Sequence, residues 1–213
     1  MSEPGEITAR AALAFLLATW PRRILLSLLL LVPVVVAAAG GFRTAEAAAL
    51  PAEAGTPTDT GAYRVVPRSY FVSDRVDAGS LDEGERWVGA LVQITNQGTE
   101  PISVTFSDQT FQLSDEVPTD EGSNPHPYEV LRVDTGSRLG WAQPGVTYEV
   151  ALVWRTTGLE EPPAELGLTL NQTYWRQWNI EAGFASWGTT GDSFEVLLPL
   201  GETPESILEE EDG

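Results

Sequence analysis

His126 is the only histidine in the chain, and cysteine is absent. Those two facts remove most of the chemistry a protein of this size could do. A Ser-His-Asp arrangement needs a histidine oriented by an acid and held against a nucleophile. His126 instead lies between Pro125 and Pro127 in a polar stretch, and no G-x-S-x-G elbow occurs anywhere. Without cysteine there is no thiolate nucleophile, no iron–sulfur cluster and no Cys-based zinc site, and one histidine makes a poor catalytic zinc centre. No glycine loop of the nucleotide-binding kinds is present. Paired carboxylates can cleave glycosides, but with 31 acidic residues pairs are unavoidable and carry little information. An envelope enzyme is therefore the weakest of the functional readings, and the chain is expected to be non-catalytic.

Two segments hold residues suited to binding. The first, 114–129, reads SDEVPTDEGSNPHPYE. Asp115, Glu116, Asp120, Glu121 and Asn124 offer the hard oxygen ligands that calcium takes, at spacings that do not match an EF-hand loop. A solvated acidic loop without a cofactor is the simpler expectation. The second, 171–187, reads NQTYWRQWNIEAGFASW and contains three of the seven tryptophans. Tyr174, Trp175, Arg176, Trp178 and Trp187 are the candidate partner-binding residues, since Trp, Tyr and Arg dominate interface hot spots. The alternative is that these rings cap a hydrophobic core. Asn171-Gln172-Thr173 also matches a glycosylation triplet, a pattern common by chance.

Composition limits the partners. All 12 basic residues are arginine, against 31 acids, for a formal net charge of -19. The absence of lysine, with abundant Ala, Gly, Pro and Val, suggests a GC-rich genome. Such an acidic chain lacks the basic footprint that nucleic acid requires. It is also a poor candidate for lying flat on anionic lipid.

The elements that must position these residues begin with an address. Segment 24–42, ILLSLLLLVPVVVAAAGGF, is uncharged over 19 residues. At about 1.5 Å per residue it matches the ~30 Å hydrocarbon core. Trp20 and Arg22-Arg23 precede it, which places residues 1–23 in the cytoplasm and the rest outside. A cleaved signal peptide is the rival reading, with small-residue cleavage patterns at 37–39 and 47–49. Either way the folded part is extracytoplasmic. The remainder is expected as a linker at 43–61, a domain at 62–200 and an acidic disordered tail at 201–213.

Within 62–200 the apolar runs are short and β-like. Val88, Ala90, Val92 and Ile94 form one apolar alternation, and Tyr148, Val150, Leu152 and Trp154 another. Turn residues recur between runs, as in Gln143-Pro144-Gly145 and Thr190-Gly191-Asp192. Seven to nine such strands predict an antiparallel sandwich. LVQITNQGTEPISVTF, 91–106, is expected to be a hairpin turning at 96–100.

The strand ending Ile94-Thr95-Asn96, then Phe111-Gln112-Leu113-Ser114-Asp115, then Pro144-Gly145 before an apolar strand resembles a bacterial, actinobacterial-type family. Its members are immunoglobulin-like envelope domains related to secreted mycobacterial immunoprotective antigens. The resemblance covers 62–160 and implies a fold and an address without catalytic residues. The expected protein is all-β, an immunoglobulin-like antiparallel β-sandwich preceded by one N-terminal transmembrane helix. Its expected role is a membrane-anchored interaction or accessory module with an envelope or membrane protein partner. The alternative is a glycan or small-ligand binder using 174–187.

Overall fold

A computed structural model describes residues 48–209, apart from 105–109, 115–116, 118–125, 158, 160 and 178–184, together with the isolated positions Trp20, Ile24 and Leu31. The membrane segment 24–42 and most of the acidic 114–129 segment lie outside the described residues. No helix among the described residues is long and apolar enough to cross a membrane.

Among the described residues nine strands form two main sheets and two more form a small pair. The first sheet orders β1 (Leu50–Ala52), β11 (Ala185–Pro199), β10 (Glu165–Gln177) and β6 (Phe111–Leu113). The second orders β2 (Thr58–Asp59), β3 (Tyr63–Ser73), β4 (Glu85–Asn96), β9 (Thr147–Thr157) and β7 (Glu129–Arg132). A small pair, β5 (Ile102–Ser103) and β8 (Trp141–Ala142), stands beside them. Val88, Ala90, Val92 and Ile94 meet Leu166, Leu168, Leu170, Val196 and Leu198 in one buried cluster. The protein is a β-sandwich, and its alternating apolar positions build the core between the sheets.

The five-stranded sheet is buried on its other face as well. Phe71, Trp87, Leu131, Ala151 and Val153 form a second core with Val76, Ala78 and Ile207. This explains why β4 and β9 read as nearly continuous apolar runs: both faces are dry. Gly89 makes room there, because a Cβ at that position would fall inside the Phe71 ring on the paired strand. The cover over this second core comes from segments that composition assigns to solvent. Ile207 is fully buried, Asp77 N–H donates to its carbonyl at 2.9 Å, and Glu209 N–H donates to Arg75 O at 3.0 Å. Residues 201–209 are thus a strap, and the disordered-tail expectation fails for them because one isoleucine finds a prepared apolar slot. The linker expectation likewise fails at β1 and β2, whose backbones pair with β11 and β3, with Thr58 buried and Ala52 packed against the main core.

Segment 91–106 is not a hairpin. β4 pairs with β3 and β9, whereas β5 pairs with β8. Asn96 redirects the chain. Its side chain, almost fully buried, donates to Glu100 O at 2.8 Å and Ala142 O at 2.9 Å and accepts from Gly98 N–H at 2.7 Å. Gly145 N–H donates to the Asn96 carbonyl at 2.9 Å. The Asn96 and Pro144-Gly145 motifs are therefore two halves of one knot, and it sets one end of the sandwich.

Candidate functional site

β10 and β11 continue past that end as a two-stranded ribbon. A bulge marks where the ribbon leaves the sheet. Asn171 pairs with Ser193 and Thr173 with Thr189, so Thr190-Gly191-Asp192 oppose the single residue Gln172. Gly191 has φ 92°, a left-handed conformation that other residues adopt at a cost. Thr190 Oγ1 accepts from Asp192 N–H at 3.1 Å and closes this small loop.

Thr173 fastens the ribbon's root. Its N–H and hydroxyl both donate to Thr60 O at 2.8 Å, and its hydroxyl oxygen accepts from Ala62 N–H at 3.2 Å. The hydroxyl of the glycosylation-type triplet is thus engaged in the β2–β3 turn. A β-bulge shifts which face successive side chains occupy. Beyond it, Trp175 and Trp187 are direct cross-strand partners on one face, ring centroids 5.4 Å apart and edge-to-face. Trp187 packs partly against the main core, while Trp175 is 52% exposed. The pair prolongs the core face beyond the sheet that would cover it. The Trp187 indole Nε1 is buried and has no hydrogen-bond partner. Tyr174, 42% exposed, points to the other face over the bare Gly188.

The candidates from sequence therefore divide. Tyr174, Trp175 and Trp187 come together on the ribbon. Arg176 is on β10 opposite Ser186, with its side chain outside the described set, and Trp178 lies outside the described residues. The core-capping alternative holds in part for Trp187 and not for Trp175. Two apolar side chains join them that sequence reasoning passed over. Trp141 of β8 is 57% exposed and Val146 is 43% exposed. Ala142 bonds to Asn96, which pairs with Tyr63 near the β2–β3 turn, so both belong to the ribbon's end of the sandwich. Their only sequence signal was an apolar residue on each side of Gln143-Pro144-Gly145.

The opposite end is different. Asp74, Asp77, Asp82, Glu83 and Glu85 cluster around the β3–β4 connection, Glu161 and Glu165 precede or begin β10, and Glu209 lies beside Arg75. Towards the ribbon's end lie Asp59, Glu100 and Asp192, with Glu149 on β9 and Asp134 just after β7.

Elsewhere the titratable groups serve structure. Arg155 stacks on the Tyr128 ring at 4.1 Å and on the Trp87 ring at 5.5 Å, closing the second core. Burial raises the Tyr70 phenol above its usual value, and its hydroxyl donates to Pro163 O. Arg132 holds Asp134 below the usual carboxylate range through a 2.6 Å bond. His126 is partly buried, with Nδ1 unpartnered. Among the described residues no group of three or more His, Asp or Glu is placed to hold a metal.

Neither a described protein family nor a curated protein matches the chain. One solved structure, an uncharacterized β-sandwich protein from Clostridium difficile 630, superposes with a TM-score of 0.44 at 10% identity, covering 73% of this chain and 99% of that one.

Proposed function

We propose that the chain is a non-catalytic, membrane-anchored, extracytoplasmic interaction module of the cell envelope, and that it engages an envelope partner through its aromatic end. The observation that carries this reading is the Trp175–Trp187 pair. A cross-strand tryptophan pair on a core-type face, left half uncovered, is an interface in search of a cover. The uncharged segment 24–42 supports the anchor, and the arginines before it support the orientation. The Asn96 and Pro144-Gly145 knot supports kinship with immunoglobulin-like bacterial envelope domains, because a buried, fully bonded asparagine gives that motif a physical reason.

A second reading has its own observation. Tyr174 over Gly188, with Gln172, Thr190 and Asp192 at the bulge, gives a sugar ring a stacking face and hydroxyl partners. That would make the module a glycan receptor.

The test is crosslinking in the protein's own membrane, comparing the native chain with a Trp141→Ser/Trp175→Ser variant. Both rings are more than half exposed, so the variant is expected to melt within a few degrees of the native protein. The envelope components captured near the ribbon should disappear. An unchanged set of captured components would refute the assignment of the aromatic end.

A further inference from the structure

We infer that the outer edge of β11 along Ala185–Thr189 pairs antiparallel with the same edge of a second copy of this chain. The pairing requires neither the membrane anchor nor an envelope partner, so it stands or falls apart from the function proposed above.

The fold covers most edges of its two main sheets with its own chain. β2 and the 200–201 backbone lie along β3, where Gly55 N–H donates to Pro67 O at 2.6 Å and Gly201 N–H to Tyr70 O at 2.7 Å. Residues 137–139 lie along β7, where Arg132 N–H donates to Ser137 O and Leu139 N–H to Val130 O, both at 2.8 Å. β6 lies along β10 at Leu168–Leu170, and Thr173 N–H reaches Thr60 O. β1 covers β11 only at Phe194–Val196. Among the described residues no strand pairs with the outer edge of Ala185–Thr189, nor with that of Tyr174–Gln177 on β10. A bare row of N–H and C=O groups is a template for one kind of partner, another extended strand.

Charge decides which edge and which occupant. At a formal net charge of -19 two copies repel over most of their surface. Residues 185–190, ASWGTT, hold neither a charge nor a proline, the two devices that ordinarily block an edge. The β10 edge carries Arg176. An antiparallel edge is complementary to itself under a two-fold axis. Full overlap of Ala185–Thr189 with its reversed copy puts that axis at Trp187. Ser186 then lies opposite Gly188, and Ala185 opposite Thr189, so no charge meets a charge along the edge. The two Asp192 residues stand about 30 Å apart at ~3.3 Å per residue, well beyond the ~10 Å screening length of 0.1 M salt. Trp175 and Trp187 are direct cross-strand partners, and the axis sets Trp187 beside its own counterpart. The tryptophans of both copies thus form one continuous row across a single face. An edge this short, about 17 Å long, buries far less than the ~800 Å² per partner of a stable interface. The copies therefore part in dilute solution and pair when concentrated.

The absence of cysteine makes the test clean. Full chains carrying Ser186→Cys are mixed with full chains carrying Gly188→Cys in detergent solution and oxidised at rising protein concentration. The mixed disulfide should form at least tenfold faster than the dimer of either chain alone, and a Glu83→Cys chain should stay at background. Hydrogen exchange supplies a second readout, because amides at 185–189 should slow as the native chain is concentrated. Neighbouring N–H groups point to opposite sides of a strand, so one of Gly188→Pro and Thr189→Pro removes an outward donor and spares the pairing with β10. The variant that melts within a few degrees of the native chain is that one, and concentrating it should slow nothing. Equal rates in the mixture and in the single chains, crosslinking of Glu83→Cys at the same rate, or exchange indifferent to concentration would overturn the proposal. So would protection of 185–189 in the native membrane without the mixed disulfide, which assigns the edge to a strand of another protein.

Discussion

Ile207 offers the sharpest test of how this domain is held together. Composition assigns it to a solvated tail, whereas the structure places it at 0% exposure among Phe71, Trp87, Leu131 and Val153. Ile207→Ala removes three carbons from that slot. At about 0.8 kcal/mol per buried carbon the transfer loss is about 2.4 kcal/mol. The residual cavity adds to this, and measured Ile→Ala costs run ~2–5 kcal/mol. The loss is capped at the free energy with which the strap docks. We therefore expect about 2–3 kcal/mol. With a urea slope of about 2 kcal/mol/M, the unfolding midpoint should fall by roughly 1 M. Native-state hydrogen exchange should show faster exchange at Asp77 and Glu209, whose N–H groups bond across the strap. A midpoint shift corresponding to less than about 0.5 kcal/mol, the ordinary range for surface substitutions, would refute the second core as a stabilising unit.

Gly89→Ala should destabilise by ~1–3 kcal/mol through overpacking against the Phe71 ring, seen as a lower melting temperature, and a further Phe71→Leu change should recover part of it. Asn96→Asp removes the donor to the Glu100 and Ala142 carbonyls; leaving buried carbonyls unmet costs about 1–3 kcal/mol, measurable by urea unfolding at neutral pH. The Tyr70 phenol is raised by burial, so the folded state holds its proton more tightly than the unfolded chain. Its contribution is fully present below the unfolded value of about 10 and is lost as pH rises through the folded value. Stability measured from pH 9 to 11 should fall, and Tyr70→Phe should flatten that decline; an equal decline in both proteins would contradict the assignment.

The local periodicities were enough to read the sandwich. Val88 to Ile94 alternate because one face of β4 meets the opposing sheet, and period-two burial is visible without coordinates. Period-two logic does not carry through β3, which has Pro67 near its middle. The extra residue Arg68 forms a bulge between Pro67 and Ser69, and the parity of buried positions changes across it, from Val65 to Tyr70. A single extra residue of this kind breaks a periodicity count, and only the pairing with β4 shows that the strand continues through it. The site was legible as a composition and not as a place. Sequence located a cluster of tryptophans. It could not say that Trp187 would lean on the core while Trp175 stood half free, nor that Trp141, over 30 residues earlier, would share their end.

What the sequence by itself determined is therefore local or additive: an acidic, cysteine-free chain, one long uncharged segment, β-type alternation and an aromatic cluster. Each depends on residue type or on neighbours a few positions away. The tertiary structure alone decided the strap, the knot at Asn96, the bend at Gly191 and the direction from which β1 enters. These are contacts between residues far apart in the chain. They exist because an apolar slot or an unmet carbonyl at one place selects whichever distant segment can fill it.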